Sequence, residues 1–167
     1  MPEEEITVVN NVKLEKKTIT DVDGLYQHLK GWFEEEGYKL KEIEYTDITA
    51  ANGKKASEIY WEAEKDETPY IRYFIKISFN IFNATRVQIQ KGNRKVGLDN
   101  CQMIIRIASK VILDPDDKLK KDLLASLLKY YHRKKIRGRI DHHVIELYKK
   151  TYSLQSEVKN FLNMYPV

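Results

Sequence analysis

The chain has 167 residues, of which 42% are hydrophobic and 32% charged, with 7 Gly and 4 Pro; this suits one folded domain (1–167) and excludes wholesale disorder and low-complexity linkers. A single cysteine, Cys101, excludes an intramolecular disulfide, and no uncharged apolar run approaches the ~20 residues of a membrane-spanning helix. The net charge of +4 divides unevenly: residues 1–114 carry 17 Lys+Arg against 19 Asp+Glu, and residues 115–167 carry 12 against 6, which puts the basic excess in the C-terminal third.

The acidic start, Met1-Pro2-Glu3-Glu4-Glu5, lacks the basic and apolar regions of a signal peptide and points to a cytoplasmic protein. Ile6 to Leu14 alternates loosely, as an edge strand does. Thr20-Asp21-Val22-Asp23 predicts a helix start with Thr20 as N-cap. Val22, Leu25, Leu29, Trp32 and Phe33 then make one apolar stripe at helical spacing, and Gly37 suits the left-handed C-cap. From Tyr38 the period changes to that of strands. Asn52-Gly53 predicts a tight turn, Ile59, Trp61 and Ala63 share one strand face, and Thr68-Pro69 breaks that strand. Ile71, Tyr73, Ile75, Ile77, Phe79 and Ile81 alternate cleanly. A short strand at Val87 and Ile89 turns at Lys91-Gly92-Asn93, and a last strand runs to Leu113. The first 114 residues thus read as an N-terminal helix and a mostly antiparallel meander of about five strands.

Asp114-Pro115-Asp116-Asp117 opens a helix, with Pro and acids suited to its first turn and Leu119, Leu123, Leu124, Leu127, Leu128 and Tyr131 as its apolar face. Gly138 is read as an interruption. Ile140, Val144, Leu147, Thr151, Leu154, Val158, Phe161 and Tyr165 then recur at near-heptad spacing over about 25 residues, roughly 38 Å of helix. The fold class read from this is α+β, closed by a long C-terminal helical hairpin over 115–167. The 140–165 stripe also offers a homodimeric coiled coil.

A search for chemistry finds no catalytic site. Gly53-Lys54 lacks the first glycine of a phosphate loop, because Ile48 stands in its place. Cys101 shares strand spacing with Met103 and Ile105 and reads as core. His142, His143 and Glu146 resemble metal ligands, but nothing nearby completes a structural site, so no metal and no cofactor is assigned. Glu58, Tyr60, Glu62 and Glu64 face outward on their strand opposite Arg72 and Lys76, as solvated cross-strand partners do. No nucleophile, base and electrophile converge, and a noncatalytic protein is expected.

The densest feature is Lys129-Tyr130-Tyr131-His132-Arg133-Lys134-Lys135-Ile136-Arg137-Gly138-Arg139, six cations in eleven residues without an acid. Lys129, Arg133, Lys134, Lys135, Arg137 and Arg139 are the expected contacts to an anionic partner, with Tyr130 and Tyr131 available to stack on bases. RNA is the first such partner and an anionic membrane surface the second. Phe74, Phe82, Ile104 and Ile112 fall on the strand face opposite the main apolar set. Helices covering both faces of the sheet explain them; the alternative is a carrier that encloses a hydrophobic ligand, as a helix-grip lipid-binding fold does in outline.

Asp23-Gly24-Leu25-Tyr26 through Trp32-Phe33 and Gly37-Tyr38, the long strand ending Leu113-Asp114, and Val158-Lys159-Asn160-Phe161-Leu162-Asn163-Met164-Tyr165 together resemble an uncharacterised archaeal family of small α+β proteins with no assigned activity. These are packing signatures across most of the chain. The resemblance implies the fold and a prokaryotic cytoplasm, and carries over no catalytic residue. Leu119 stands where that family would place an aromatic, usually Trp, so a partner contacting that side chain is not implied here.

Overall fold

Strands that alternate apolar and polar residues over 11 to 21 positions dictate a sheet with one buried and one open face. The computed structural model describes residues 4–116 and 134–164, leaving aside the side chains of Glu4 and of 134–138. In chain order it comprises β1 (Glu4–Thr20), α1 (Val22–Glu35), β2 (Lys39–Thr49), β3 (Lys55–Thr68), β4 (Ile71–Lys91), β5 (Arg94–Leu113) and α2 (Lys134–Leu162). The strands form one antiparallel sheet in the order β1-β5-β4-β3-β2. Residues 39–113 are thus a meander, and β1 returns to pair with its last strand.

Local chemistry sets the joints. Asp21, one residue beyond the predicted Thr20, is the N-cap of α1, and its carboxylate accepts from the Gly24 amide at 3.0 Å. Thr20 is instead the last residue of β1. Gly37, at φ +84°, closes α1: the Tyr38 amide donates to the Phe33 carbonyl (2.8 Å) and the Gly37 amide to Glu34 (3.1 Å), a Schellman ending. The strands predicted around Ile71–Ile81 and Val87–Ile89 are one continuous β4. A register shift between Phe82 and Thr85, with Asn83 at φ 54°, marks a bulge inside it.

The inner face is a filled core. Trp61, Ala63, Ile75 and Ile77 are fully buried, and so are Leu29 and Phe33 of α1 and Leu147, Leu154 and Val158 of α2. Trp61 meets Phe79 edge-on at 5.1 Å between ring centres. One buried polar contact ties α2 to the sheet. Thr151 Oγ1 lies 2.7 Å from the Leu147 carbonyl and 2.8 Å from Ser109 Oγ; its single proton goes to the carbonyl, so Ser109 donates to Thr151.

The expected C-terminal helical hairpin is corrected. Among the described residues the C-terminal part holds one helix, and Gly138 lies inside it rather than at a turn. A glycine within a helix costs only ~1 kcal/mol, which the burial of Ile140, Leu147, Leu154 and Val158 outweighs. The predicted first arm, with Leu119, Leu123, Leu124, Leu127 and Leu128, falls outside the described residues. Among the described residues α1 and α2 both pack on the inner face. The stripe from Ile140 to Phe161, which also offered a coiled-coil dimer as the alternative to packing on the sheet, turns toward β5 and β1 of its own chain, while Ile145, Tyr148 and Tyr152 face solvent.

Both sheet edges are blunted against pairing with other chains. β1 carries register shifts on either side of Val9 together with Lys13, Glu15, Lys16 and Lys17, and β2 shifts register between Glu42 and Glu44.

Candidate nucleic-acid interface

Lys129, Tyr130, Tyr131 and Arg133 lie outside the described residues. Lys134, Lys135 and Arg137 belong to the first turns of α2, where no acid is present, and Arg139 is exposed. In the first turn of a helix positive charge is disfavoured by ~0.3–1 kcal/mol per residue, so the helix dipole does not account for Lys134, Lys135 and Arg137.

A larger separation of charge coincides with the strands. Residues 1–67 carry 9 Lys+Arg and 17 Asp+Glu, a net −8, whereas residues 68–113 carry 8 Lys+Arg and only Asp99, a net +7. That second span is the β4–β5 hairpin. Three of its cations are matched to carboxylates: Arg72 to Asp66 (2.6 Å) with Asp116 and Glu64, Arg86 to Asp99 (3.4 Å), and Lys110 to Glu5 (2.7 Å). Among the described residues no carboxylate pairs with Lys76, Arg94, Lys95 or Arg106, nor with Lys17 of β1 or Lys54 of the β2–β3 turn.

The hairpin also outreaches its neighbours. β3 meets β4 only as far as Lys55 opposite Ala84, and β1 meets β5 only as far as Thr20 opposite Asp99. From Val87–Leu98 to Lys91–Arg94 the ladder continues as a two-stranded arm, about 17 Å long at ~3.4 Å per residue. Its tip, Lys91-Gly92-Asn93-Arg94-Lys95, turns at Gly92, whose φ of 62° suits the first central position of a type II′ turn. No acid occurs from Arg86 to Leu98.

On the outer face, where the arm joins the sheet, two depressions adjoin. One, of about 190 Å³, is lined by Lys17, Lys54, Asn83, Asn100 and Gln102 and by no carboxylate. The other, also about 190 Å³, is an apolar groove of Ile48, Ala56, Phe82 and Ile104 bordered by Asn80 and Glu58. They meet where Gln102 pairs with Phe82. Phe74 and Ile112, the other outer-face apolar residues, are 7% and 5% exposed, and Lys110 Nζ lies 4.7 Å from the centre of the Phe74 ring.

Other groups are chemically quiet. Tyr73 O–H lies 2.7 Å from His143 Nδ1 and joins β4 to α2. Burial pushes the Tyr73 phenol up to about 12 and, with His142 beside it, lowers His143 from its usual 6.5, so the phenol keeps its proton and donates to a neutral ring. Cys101 is 2% exposed, and burial beside Asp99 raises its thiol to about 11. Among the described residues no group of three or more His, Cys, Asp or Glu is placed to hold a metal ion, and no helix is long and apolar enough to cross a membrane. An open cleft of about 750 Å³ lies on the inner side of the same end, between the first turn of α1 (Val22, Asp23) and Tyr45, Asp47 and Lys55, with the Arg86–Asp99 pair on its floor. Its mixed lining contrasts with the solid core beside it.

Lys17, Lys54, Lys76, Phe82, Arg94, Lys95 and Arg106 were not read as an interface from the sequence. Their signal was present as charge summed strand by strand, which a division at residue 114 averages away. No protein-family model matches the chain, and no curated protein matches its sequence. Geometry and electrostatics therefore carry the functional reading.

Proposed function

We propose that this chain is a noncatalytic nucleic-acid-binding protein, RNA first, that grips phosphates along the β4–β5 hairpin and its projecting arm. The observation that carries the reading is the net +7 of residues 68–113, with Lys76, Arg94, Lys95 and Arg106 left without carboxylate partners among the described residues. Cations held apart from acids gain most by displacing the counterions of a polyanion. The arm tip is polar throughout and offers no apolar residue for shallow insertion, which favours nucleic acid over a lipid surface. The filled inner face, with Trp61, Ile75 and Ile77 at 0% exposure, weighs against a carrier of hydrophobic ligands. The cations of 129–139 enter the reading as a second phosphate-contacting segment, and the lone thiol accords with a cytoplasmic setting.

The test is a salt series of binding to mixed-sequence RNA, DNA and anionic vesicles. Changing Lys76, Arg94, Lys95 and Arg106 to Gln is expected to flatten the slope of log affinity against log salt by about 3, at ~0.7–0.9 per lost contact. Unchanged binding by this variant overturns the assignment to the hairpin. Binding to vesicles alone, or no binding at low salt, overturns the reading.

A further inference from the structure

We infer that the outer sheet face selects single-stranded over double-stranded nucleic acid, with Phe82 as a stacking platform for a base and Lys17 and Lys54 as clamps for the flanking phosphates. This rests on the nucleic-acid reading above and goes past it, since phosphate contacts alone do not distinguish an open strand from a duplex.

Three observations converge on one place. Phe82 is half-buried, so its position is fixed while part of the ring remains accessible, and it lies in the apolar groove with Ile104, Ala56 and the 59%-exposed Ile48. The register continues from Phe82 through Gln102 to Lys17 across three adjacent strands. Lys17 and Lys54 then line the acid-free depression next to the groove, with Asn83, Asn100 and Gln102 between them. Apolar platform and cationic pocket therefore stand side by side on an open sheet, which matches the alternation of base and phosphate along a single strand.

The bulge in β4 places the two halves. The shift after Phe82, with Asn83 in the left-handed region, breaks the strand alternation at the point where the platform gives way to the pocket. Asn80 and Glu58 on the rim supply an amide and a carboxylate for the edges of a stacked base, the carboxylate accepting from an exocyclic amine. A duplex keeps its base faces stacked inside and has none to lay on this platform. The charge of the surroundings, net +7 over β4 and β5, is complementary to a polyanion and not to a basic or neutral protein partner.

The experiment measures affinities of the full chain for a 12-nucleotide single strand, as RNA and as DNA, and for the same sequence as a blunt duplex. Wild-type protein is compared with Phe82→Ala, Ile48→Ser and the double variant Lys17→Gln/Lys54→Gln. Wild type is expected to prefer the single strand about tenfold or more. Phe82→Ala removes most of that preference, with a loss of about tenfold on single strands, and leaves duplex affinity and salt slope unchanged. Ile48→Ser, at an exposed position that cannot unfold the chain, gives a smaller loss of the same kind, and circular dichroism melts confirm folding throughout. The lysine variant lowers affinity for both forms and flattens the salt slope by about 1–2. Equal binding of single strand and duplex by wild type, or a preference that survives both Phe82→Ala and Ile48→Ser, overturns the inference while phosphate binding by the hairpin stands. No salt-sensitive binding to any nucleic acid overturns both.

Discussion

The two faces of this sheet are made by alternate residues of the same strands, and they obey different physics. On β3, β4 and β5 the inward residues Trp61, Ile75, Ile77, Met103, Ile105 and Ile107 are at most 1% exposed, so each change is felt through packing. Their neighbours one position away, Glu62, Lys76, Ser78, Gln102, Ile104 and Arg106, are exposed or half-buried and stand outside the core that α1 and α2 cover. Stability belongs to one face, and the recognition we propose belongs to the other. A chain arranged this way can vary its outer residues while the inner set holds the fold.

The comparison is broken most directly on the inner side. Trp61→Ala is expected to lose ~3–5 kcal/mol of unfolding free energy, as large aromatic truncations in packed cores do, measured by urea titration with unchanged slope. A loss under ~1 kcal/mol would show that the inner face is not the stabilising one. A smaller effect follows at the bond between α2 and the sheet. Thr151→Val removes both hydrogen bonds of a 1%-exposed hydroxyl and orphans Ser109, for an expected ~1–3 kcal/mol. Thr151→Ser, which keeps the hydroxyl, should recover most of it.

The His143–Tyr73 contact sharpens the comparison through pH. Burial lowers the His143 value below 6.5 in the folded chain, so the unfolded chain takes up the proton first as pH falls. The contribution is therefore fully present above 6.5 and is lost as pH drops toward the folded value. Thermal midpoints between about pH 7.5 and 5 should fall less steeply for His143→Asn than for wild type; parallel curves would remove His143 from the account. The smallest expected effect is the most telling. Changing Lys76, Arg94, Lys95 and Arg106 to Gln should move stability by no more than ~0.5 kcal/mol while the salt slope of nucleic-acid binding flattens by about 3.

Much of the fold was legible because it is written in local periodicity. The α1 stripe, the Gly37 cap, the Asn52-Gly53 turn and the alternation of β4 each need only a few neighbouring residues to be read. What escaped was decided by distant ones. The pairing of β1 with β5 joins residues about a hundred positions apart, such as Glu4 and Leu113, and it turns a loose pattern at Ile6–Leu14 into a 17-residue strand. Gly138 looked like an end because glycine ends many helices, but tertiary burial of Ile140 and Leu147 carries α2 through it. The candidate interface was hidden for a related reason. Lys17, Lys54 and Phe82 belong to three separate segments, and only the register of the sheet makes them neighbours, whereas the run at 129–139 drew notice because its cations are contiguous.

The buried thiol has a practical side. With Cys101 shielded and its thiol raised to about 11, maleimide reagents at neutral pH have no ready target in the native chain. A cysteine introduced at Asn93, on the tip of the arm, would then react alone. A single fluorophore or spin label placed there, without deleting the natural residue, would report the arm's motion and its distance from a labelled strand end.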